Sequence, residues 1–150
     1  MQQMQMVPFG LMGFCIADAQ ANTKLFLRMV LWQILAMSRD FTNSLCATFP
    51  GAEVSDPWGG GHDAWKVGGK MFASIGAVQN GVSVKTATVE TAEMLIAAGV
   101  GVRAPYFHRS WIHLPEGTAE AELRHRLTIS YRLIRAGLSK KVQSALPPEV

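Results

Sequence analysis

The chain has 150 residues, of which 49% are hydrophobic and 17% are charged, and this composition is typical of a globular domain. Its length is enough to bury a core without disulfides or a structural metal, and the composition excludes disordered, collagen-like and coiled-coil chains. Fourteen Lys and Arg against eleven Asp and Glu give a net charge of +3. A slightly cationic surface without dense basic blocks permits nucleic-acid binding but does not require it.

The first 37 residues differ from the rest, because they are rich in Met, Leu and Phe and nearly uncharged. A secretory signal is not predicted, since no Lys or Arg precedes the apolar run at 7–16. The apolar run at 25–37 would form a helix of about 20 Å, too short to span a membrane. It is interpreted either as an amphipathic helix or as translated sequence upstream of a true start at Met29 or Met37, and we favour the second interpretation.

The two cysteines, Cys15 and Cys46, belong to no CxxC or Cys/His pattern. Zinc binding and redox chemistry are therefore not predicted. Both thiols are expected to pack as small apolar side chains in a reduced, cytoplasmic protein. No metal or other cofactor is predicted.

One α+β domain is predicted from Ser38 to Leu146, followed by a C-terminal tail at 147–150. Its first helix starts at the N-cap Ser38, runs to about Thr48 and ends at Pro50-Gly51. The glycine-rich segment that follows, Asp56–Gly61, is predicted to be an exposed and mobile loop, because its glycines permit backbone angles that other residues avoid.

Two glycine turns organise the predicted sheet. Gly68-Gly69 joins strands at 64–67 and 71–75, and Asn80-Gly81 precedes a third strand at 82–85. In this third strand, alternation predicts that Val82 and Val84 point inward and that Ser83 and Lys85 point outward. The prediction is a three-stranded antiparallel meander.

A second helix is predicted to begin at the N-cap Thr88, to bury Met94, Leu95 and Ala98, and to end at Gly99. Residues 102–105 must be extended, because the residue before a proline avoids helical angles.

A further strand is predicted at 110–114 and a turn at 115–117. Thr118 is the predicted cap of a long helix that Gly137 ends, and Ser139 the cap of a short final helix. The inward stripe of the long helix is predicted to be Leu123, Leu127, Tyr131 and Ile134.

No catalytic or metal-binding constellation is apparent in the sequence. His62 and Asp63 are adjacent, and neighbouring side chains on an extended segment point to opposite faces. Gly68-Gly69-Lys70 lacks the following Ser or Thr and the helix start of a phosphate-binding loop. The protein is therefore predicted not to be an enzyme.

Cationic and aromatic residues alternate between positions 103 and 111, which is the strongest sequence signal for a binding surface. Cations contact phosphates and aromatic rings stack on bases, although the same rings could simply anchor a loop to the sheet. Lysines of the neighbouring hairpins are predicted to extend this cluster into one basic face. The candidate nucleic-acid contacts are Lys66, Lys70, Lys85, Arg103, Tyr106, Arg109 and Trp111.

The segment Trp65-Lys66-Val67-Gly68-Gly69-Lys70-Met71-Phe72-Ala73 resembles the signature hairpin of the MmcQ/YjbR family of small bacterial proteins. The resemblance covers about residues 38–146. Further matches in the right order are Pro50-Gly51-Ala52, Val84-Lys85-Thr86, Pro105-Tyr106 with Arg109 before Trp111, and Ser130-Tyr131.

This resemblance implies a fold similar to CyaY and frataxin, with helices packed on one face of an antiparallel sheet. It also implies DNA binding through a double-wing arrangement. Frataxin-type iron binding is not expected, because Asp40 is the only acidic residue of the first helix.

The leading functional hypothesis is a cytoplasmic bacterial DNA-binding protein that contacts mainly the phosphate backbone. One alternative is a pocket in which Trp58, Trp65, Tyr106 and Trp111 enclose a small apolar ligand. Another is a partner-binding module in which an isologous dimer buries the same aromatic residues.

Overall fold

The computed structural model describes residues 39–78 and 80–149. The predictions for residues 1–37 and for the N-cap Ser38 lie outside the described residues. The elements in chain order are α1 (Arg39–Ala47), β1 (Ala52–Ser55), β2 (Asp63–Val67), β3 (Lys70–Ile75), β4 (Gly81–Lys85), α2 (Val89–Ala97), β5 (Val102–Arg103), β6 (Trp111–Pro115), α3 (Glu120–Ala136) and α4 (Lys140–Ala145).

The strands form one six-stranded sheet in the order β1-β2-β3-β4-β6-β5, and every neighbouring pair is antiparallel. The predicted α+β fold and the β2-β3-β4 meander are confirmed. Strand β1 was not predicted, because it is only four residues long and lies between the turn-forming segments Pro50-Gly51 and Asp56–Gly61, and it becomes a strand by pairing with β2.

The hydrophobic core lies between one face of the sheet and the helices. Strand residues such as Ile75, Val84 and Ile112 pack there against Leu123 and Leu127 of α3, and all five are almost inaccessible to solvent. Residues of α1 and α2 complete the same core cluster. The helices therefore cover one face of the sheet, as predicted, and we call the opposite side the open face.

A serine of α3 bridges β3 and β4 where their ladder ends, next to a register shift between β2 and β3. The β3-β4 ladder reaches Ala73 opposite Val84, and the next pair would be Phe72 opposite Lys85. The Ser130 hydroxyl lies between them instead, accepting from Lys85 N at 2.8 Å and donating to Phe72 O at 2.5 Å. A helix side chain thus replaces one rung of the ladder.

Three local predictions need correction. Met94 is 63% exposed and Ala98 is the C-cap, because α2 packs through Ala92 and Leu95, which are three residues apart on one helix face. Thr118 does not cap α3, since its hydroxyl donates back to Pro115 O and the N-cap is Ala119.

The predicted packing of Cys46 is confirmed, because this cysteine is inaccessible to solvent. Burial raises the pKa of its thiol. Cys15 lies outside the described residues.

Candidate functional site

The predicted DNA-contact residues are distributed over both faces and the ends of the sheet. Lys66 and Lys85 belong to the open face, and Lys66 lies directly opposite Glu53 of β1. Arg103 pairs with Ile112 and therefore lies on the helix-covered side of the sheet. Lys70 follows the Gly68-Gly69 turn at the end of the hairpin.

The remaining members of that set have different environments. Arg109 donates to Glu93 Oε1 of α2 at 2.7 Å. Trp111 is only 8% exposed and is stacked under the ring of Phe107. Lys85 Nζ is held at 3.2 Å from Ser110 Oγ, whereas Tyr106 is fully exposed. The structure does not unite these side chains into one cationic patch.

Most arginines of the described residues face a carboxylate. Ion pairs join them to acidic groups at 2.6–3.4 Å, and Arg103 is the one described arginine without such a partner. The four arginines of α3 are among these paired residues. The pairs are Arg39–Asp63, Arg109–Glu93, Arg124–Glu120, Arg126–Glu122, Arg132–Glu149 and Arg135–Glu149.

A concavity of about 500 Å³ lies on the open face. The β1-β2 loop, the β3-β4 loop and the segment between β5 and β6 surround it, and three neighbouring strands form its floor. The lining residues are Trp58, His62, Ser74, Gly76, Ala77, Val78, Ser83, Pro105, Tyr106, Phe107 and His113.

The floor of the concavity is a row of polar side chains across three strands. Ser74 pairs with Ser83, and Ser83 pairs with His113, so all three project from the open face. Ser83 does point away from the core, as the alternation predicted, but it is only 5% exposed. The segment between β5 and β6 folds over this face, which is why an outward position is buried.

Ser83 and His113 are joined by a hydrogen bond of 3.2 Å between Oγ and Nδ1. Burial lowers the pKa of His113, and a hydrogen bond with the backbone of Asn80 opposes this shift. Which of the two groups donates is set by the ring nitrogen that carries the proton, and the Ser83 hydroxyl can fill either role.

A Ser–His pair is the beginning of a nucleophile–base arrangement, so its chemistry must be considered. Acyl transfer would place a positive charge on His113, and a carboxylate usually stabilises that charge. Among the described residues no carboxylate is paired with His113, and burial disfavours the charged ring. We interpret the pair as a rigid polar floor.

The walls of the concavity are aromatic. Trp58 is 56% exposed on the glycine-rich loop, and its ring contacts that of His62 edge to face. Phe107 stacks on Trp111 with ring centroids 4.8 Å apart. Tyr106 has a φ of 68°, which is costly for a residue with a side chain, and its ring remains in solvent.

Arg39 holds two of the surrounding loops in place. Its guanidinium donates to the carbonyls of Gly61 and Gly76 and to Asp63 Oδ2. Asn43 also donates to Asp63 Oδ2, at 2.7 Å. Although burial acts to raise the pKa of Asp63, these hydrogen bonds outweigh it and lower that pKa. No sequence signal pointed to Arg39, since its partners lie 22 to 37 residues away.

The Asp56–Gly61 loop is exposed, as predicted. Asp56 Oδ2 accepts from Gly61 N at 2.8 Å, and such backbone hydrogen bonds lower the pKa of Asp56. His62 Nδ1 makes no hydrogen bond and lies 3.9 Å from Asp56 Oδ1. Asp63 turns to the helix side while His62 lines the concavity, which confirms that the two adjacent side chains diverge.

Within the described ranges, no three His, Cys, Asp or Glu residues come together as a metal site. None of the described helices is both long and apolar enough to cross a membrane.

The pH dependence of stability is expected to report on His113. Its pKa lies below the ordinary value of 6.5, so the unfolded state gains a proton that the folded state resists. The free energy of unfolding should therefore fall as pH decreases below 6.5. Urea denaturation at several pH values would show this slope, and His113→Gln should reduce it. His125→Gln on exposed α3 is the control, and equal slopes in wild type and His113→Gln would contradict the assignment.

The fold and the concavity define a class, namely a small two-layer α+β domain whose sheet carries a loop-covered concavity opposite the helices. The YjbR family model matches residues 47–133, and the chain belongs to this family. The resemblance seen in the sequence is thereby confirmed.

A crystal structure of protein DR2400 from Deinococcus radiodurans, with a DUF419 domain, is similar to this chain. The TM-score is 0.66 at 22% sequence identity, over 77% of this chain and 94% of that one. At this identity the likeness concerns the fold alone. A search of curated proteins finds no match to the sequence.

Proposed function

We propose that this protein binds a small, largely apolar molecule in the concavity on the open face of its sheet. The observation that carries the proposal is an aromatic-walled space of about 500 Å³ above a hydrogen-bonding floor. Ligand sites in proteins have this size and this combination of apolar walls with a few oriented polar groups.

The charge distribution supports a small ligand over a polyanion. A DNA-contact surface gains affinity from cations that neutralise phosphates, and these cations must be available to the backbone. Here the arginines are largely paired with carboxylates, and Lys66 lies beside Glu53.

Two aromatic residues at the rim of the concavity provide the test. N-phenyl-1-naphthylamine, a neutral fluorophore, is expected to bind with increased emission, and Trp58→Ala should weaken binding about fivefold through the lost ring contact. Tyr106→Gly should weaken it similarly while leaving stability within about 1 kcal/mol, because relief of the positive φ offsets the added unfolded-state entropy.

Met94→Ala is the matched control, since Met94 is an equally exposed large apolar residue on α2 that does not line the concavity. It should leave fluorophore affinity unchanged. Absence of binding by the wild type, or equal loss in all three variants, would overturn the proposal.

DNA binding remains a prediction from the family resemblance, and the same preparation can test it. A labelled duplex should bind with an affinity that falls steeply with salt, at about 0.9 log–log units per neutralised phosphate. Loss of that binding in Lys66→Ala and Arg103→Ala would favour DNA over a small ligand. Salt-independent or absent binding would favour the concavity.

A further inference from the structure

We infer that the occupant of the concavity is a neutral, planar heteroaromatic compound with a hydrogen-bond donor and an acceptor side by side on one edge. The inference rests on the proposed function and specifies the ligand class for the same site. Three properties of the described lining residues carry it, namely their lack of permanent charge, their rings and their free hydrogen-bonding capacity.

The residues that line the concavity indicate an uncharged ligand. No Lys, Arg, Asp or Glu is among the described residues that line the concavity, and the imidazole of His113 is kept neutral by burial. A charged ligand group would lose water there without gaining a counter-ion, which is strongly unfavourable. Arg109 and Lys85, each two residues from a lining residue, direct their charged groups to Glu93 and Ser110. Arg103 lies on the helix-covered side of the sheet.

The aromatic side chains of the concavity indicate a planar ligand. Trp58 stands on the β1-β2 loop, and Phe107 stands on the segment before β6, with the floor strands between them. Phe107 cannot easily turn away, because it is stacked on the buried ring of Trp111. Aromatic faces on both sides of a polar floor favour a flat ring system that can stack or make edge contacts.

Ser74 and Ser83 indicate that the ligand has a donor and an acceptor on one edge. Ser74 Oγ lines the concavity and has no hydrogen-bond partner among the described residues, so its proton is available to a ligand acceptor. Whichever of Ser83 Oγ and His113 Nδ1 donates in their hydrogen bond, the Ser83 oxygen keeps a lone pair for a ligand donor. Since the two serines are paired across β3 and β4, their side chains start about 5 Å apart.

A pair of ring systems of equal shape isolates this edge. 2-Quinolone carries an N–H next to a carbonyl, and naphthalene has the same outline without polar atoms. Titration of the full chain, followed by tryptophan fluorescence and by ligand-observed NMR, is expected to show 2-quinolone binding about tenfold tighter than naphthalene. 2-Naphthoate, which adds a negative charge, should bind more weakly than 2-quinolone.

Ser74→Ala should reduce 2-quinolone affinity about fivefold and leave naphthalene affinity unchanged. The variant should fold normally, because the Ser74 hydroxyl makes no hydrogen bond with the described residues. Ser144→Ala on exposed α4 is the matched control and should change neither affinity.

Equal affinities for 2-quinolone and naphthalene would overturn the inference, and so would tighter binding of 2-naphthoate than of 2-quinolone. If the fluorophore still binds in that case, the proposed function stands. An unchanged quinolone affinity in Ser74→Ala would overturn it as well. Failure of the fluorophore and of all three compounds to bind would overturn the inference and the proposed function together.

Discussion

Ser130→Ala is expected to lower the free energy of unfolding by about 3 kcal/mol, because it leaves two backbone groups without partners. The Ser130 hydroxyl is the acceptor for Lys85 N and the donor to Phe72 O, and it is completely buried. Alanine at this position would leave an N–H and a carbonyl facing an apolar core, and each unsatisfied group costs about 1–3 kcal/mol. Urea denaturation followed by circular dichroism measures the loss.

Ser44→Ala is the matched control for this change. Ser44 also lies in a helix and donates to a carbonyl, that of Asp40, but it is exposed to water. Its removal should cost less than about 0.5 kcal/mol, as is usual for surface substitutions. Equal losses of unfolding free energy in the two variants would contradict the prediction that the Ser130 hydroxyl stabilises the fold by bridging β3 and β4.

Gly81→Ala is expected to lower the free energy of unfolding by at least about 3 kcal/mol, since strain and a steric clash act together. Gly81 has a φ of 119°, which residues with a side chain rarely adopt. A Cβ built there would lie 2.5 Å from Leu114 O and 2.6 Å from His113 Nε2. The backbone of β6 or the His113 ring must move, so the floor of the concavity should also change.

Gly117→Ala separates strain from the clash. Gly117 has a φ of 88°, but a Cβ built there meets nothing within 4 Å. Gly117→Ala should therefore lower the free energy of unfolding only by the conformational strain, about 1 kcal/mol. Chemical denaturation of both variants gives the comparison, and fluorophore binding by Gly81→Ala measures the effect on the floor. A loss as small as that of Gly117→Ala would contradict the predicted crowding at Gly81.

The residues that carry the family resemblance largely hold the sheet to α3. Tyr131 Oη donates to Pro50 O at 2.7 Å, and Ser130 bridges Phe72 and Lys85. A Cβ on Gly68 would lie 2.6 Å from Leu138, so this hairpin position permits close packing of the C-terminal segment. The matching motif therefore explains the fold, and it places few side chains in the concavity.

The sheet was predictable where local chemistry decides the conformation. Gly68-Gly69 adopts positive φ at both residues, as a tight hairpin turn requires, and Thr88 accepts from Thr91 N as a helix N-cap. Strand β1 and the buried position of Ser83 were not predictable in this way. Each depends on a segment distant in sequence, β2 in one case and the covering segment before β6 in the other.

The candidate site was predictable only in part for the same reason. Trp58 and Tyr106 were named as walls of a possible pocket and do line it, whereas Trp65 and Trp111 are buried elsewhere. Trp65 points to the helix side, where its Nε1 donates to Asn43 Oδ1 at 2.7 Å. The aromatic residue types were visible in the sequence, but the face each ring occupies depends on strand register and on loop position.

By itself, the sequence determined the α+β class, the glycine turns and most helix boundaries, because these depend on backbone angles and on apolar periodicity within short segments. The family was visible as a resemblance to its signature hairpin. Tertiary structure alone decided that Arg109 pairs with Glu93, that Ser83 lies beside His113, and that Arg39 hydrogen-bonds to two loops. These contacts join residues 16 to 37 positions apart. No local pattern encodes such contacts, since they exist only once the strands have paired and the loops have closed over the open face.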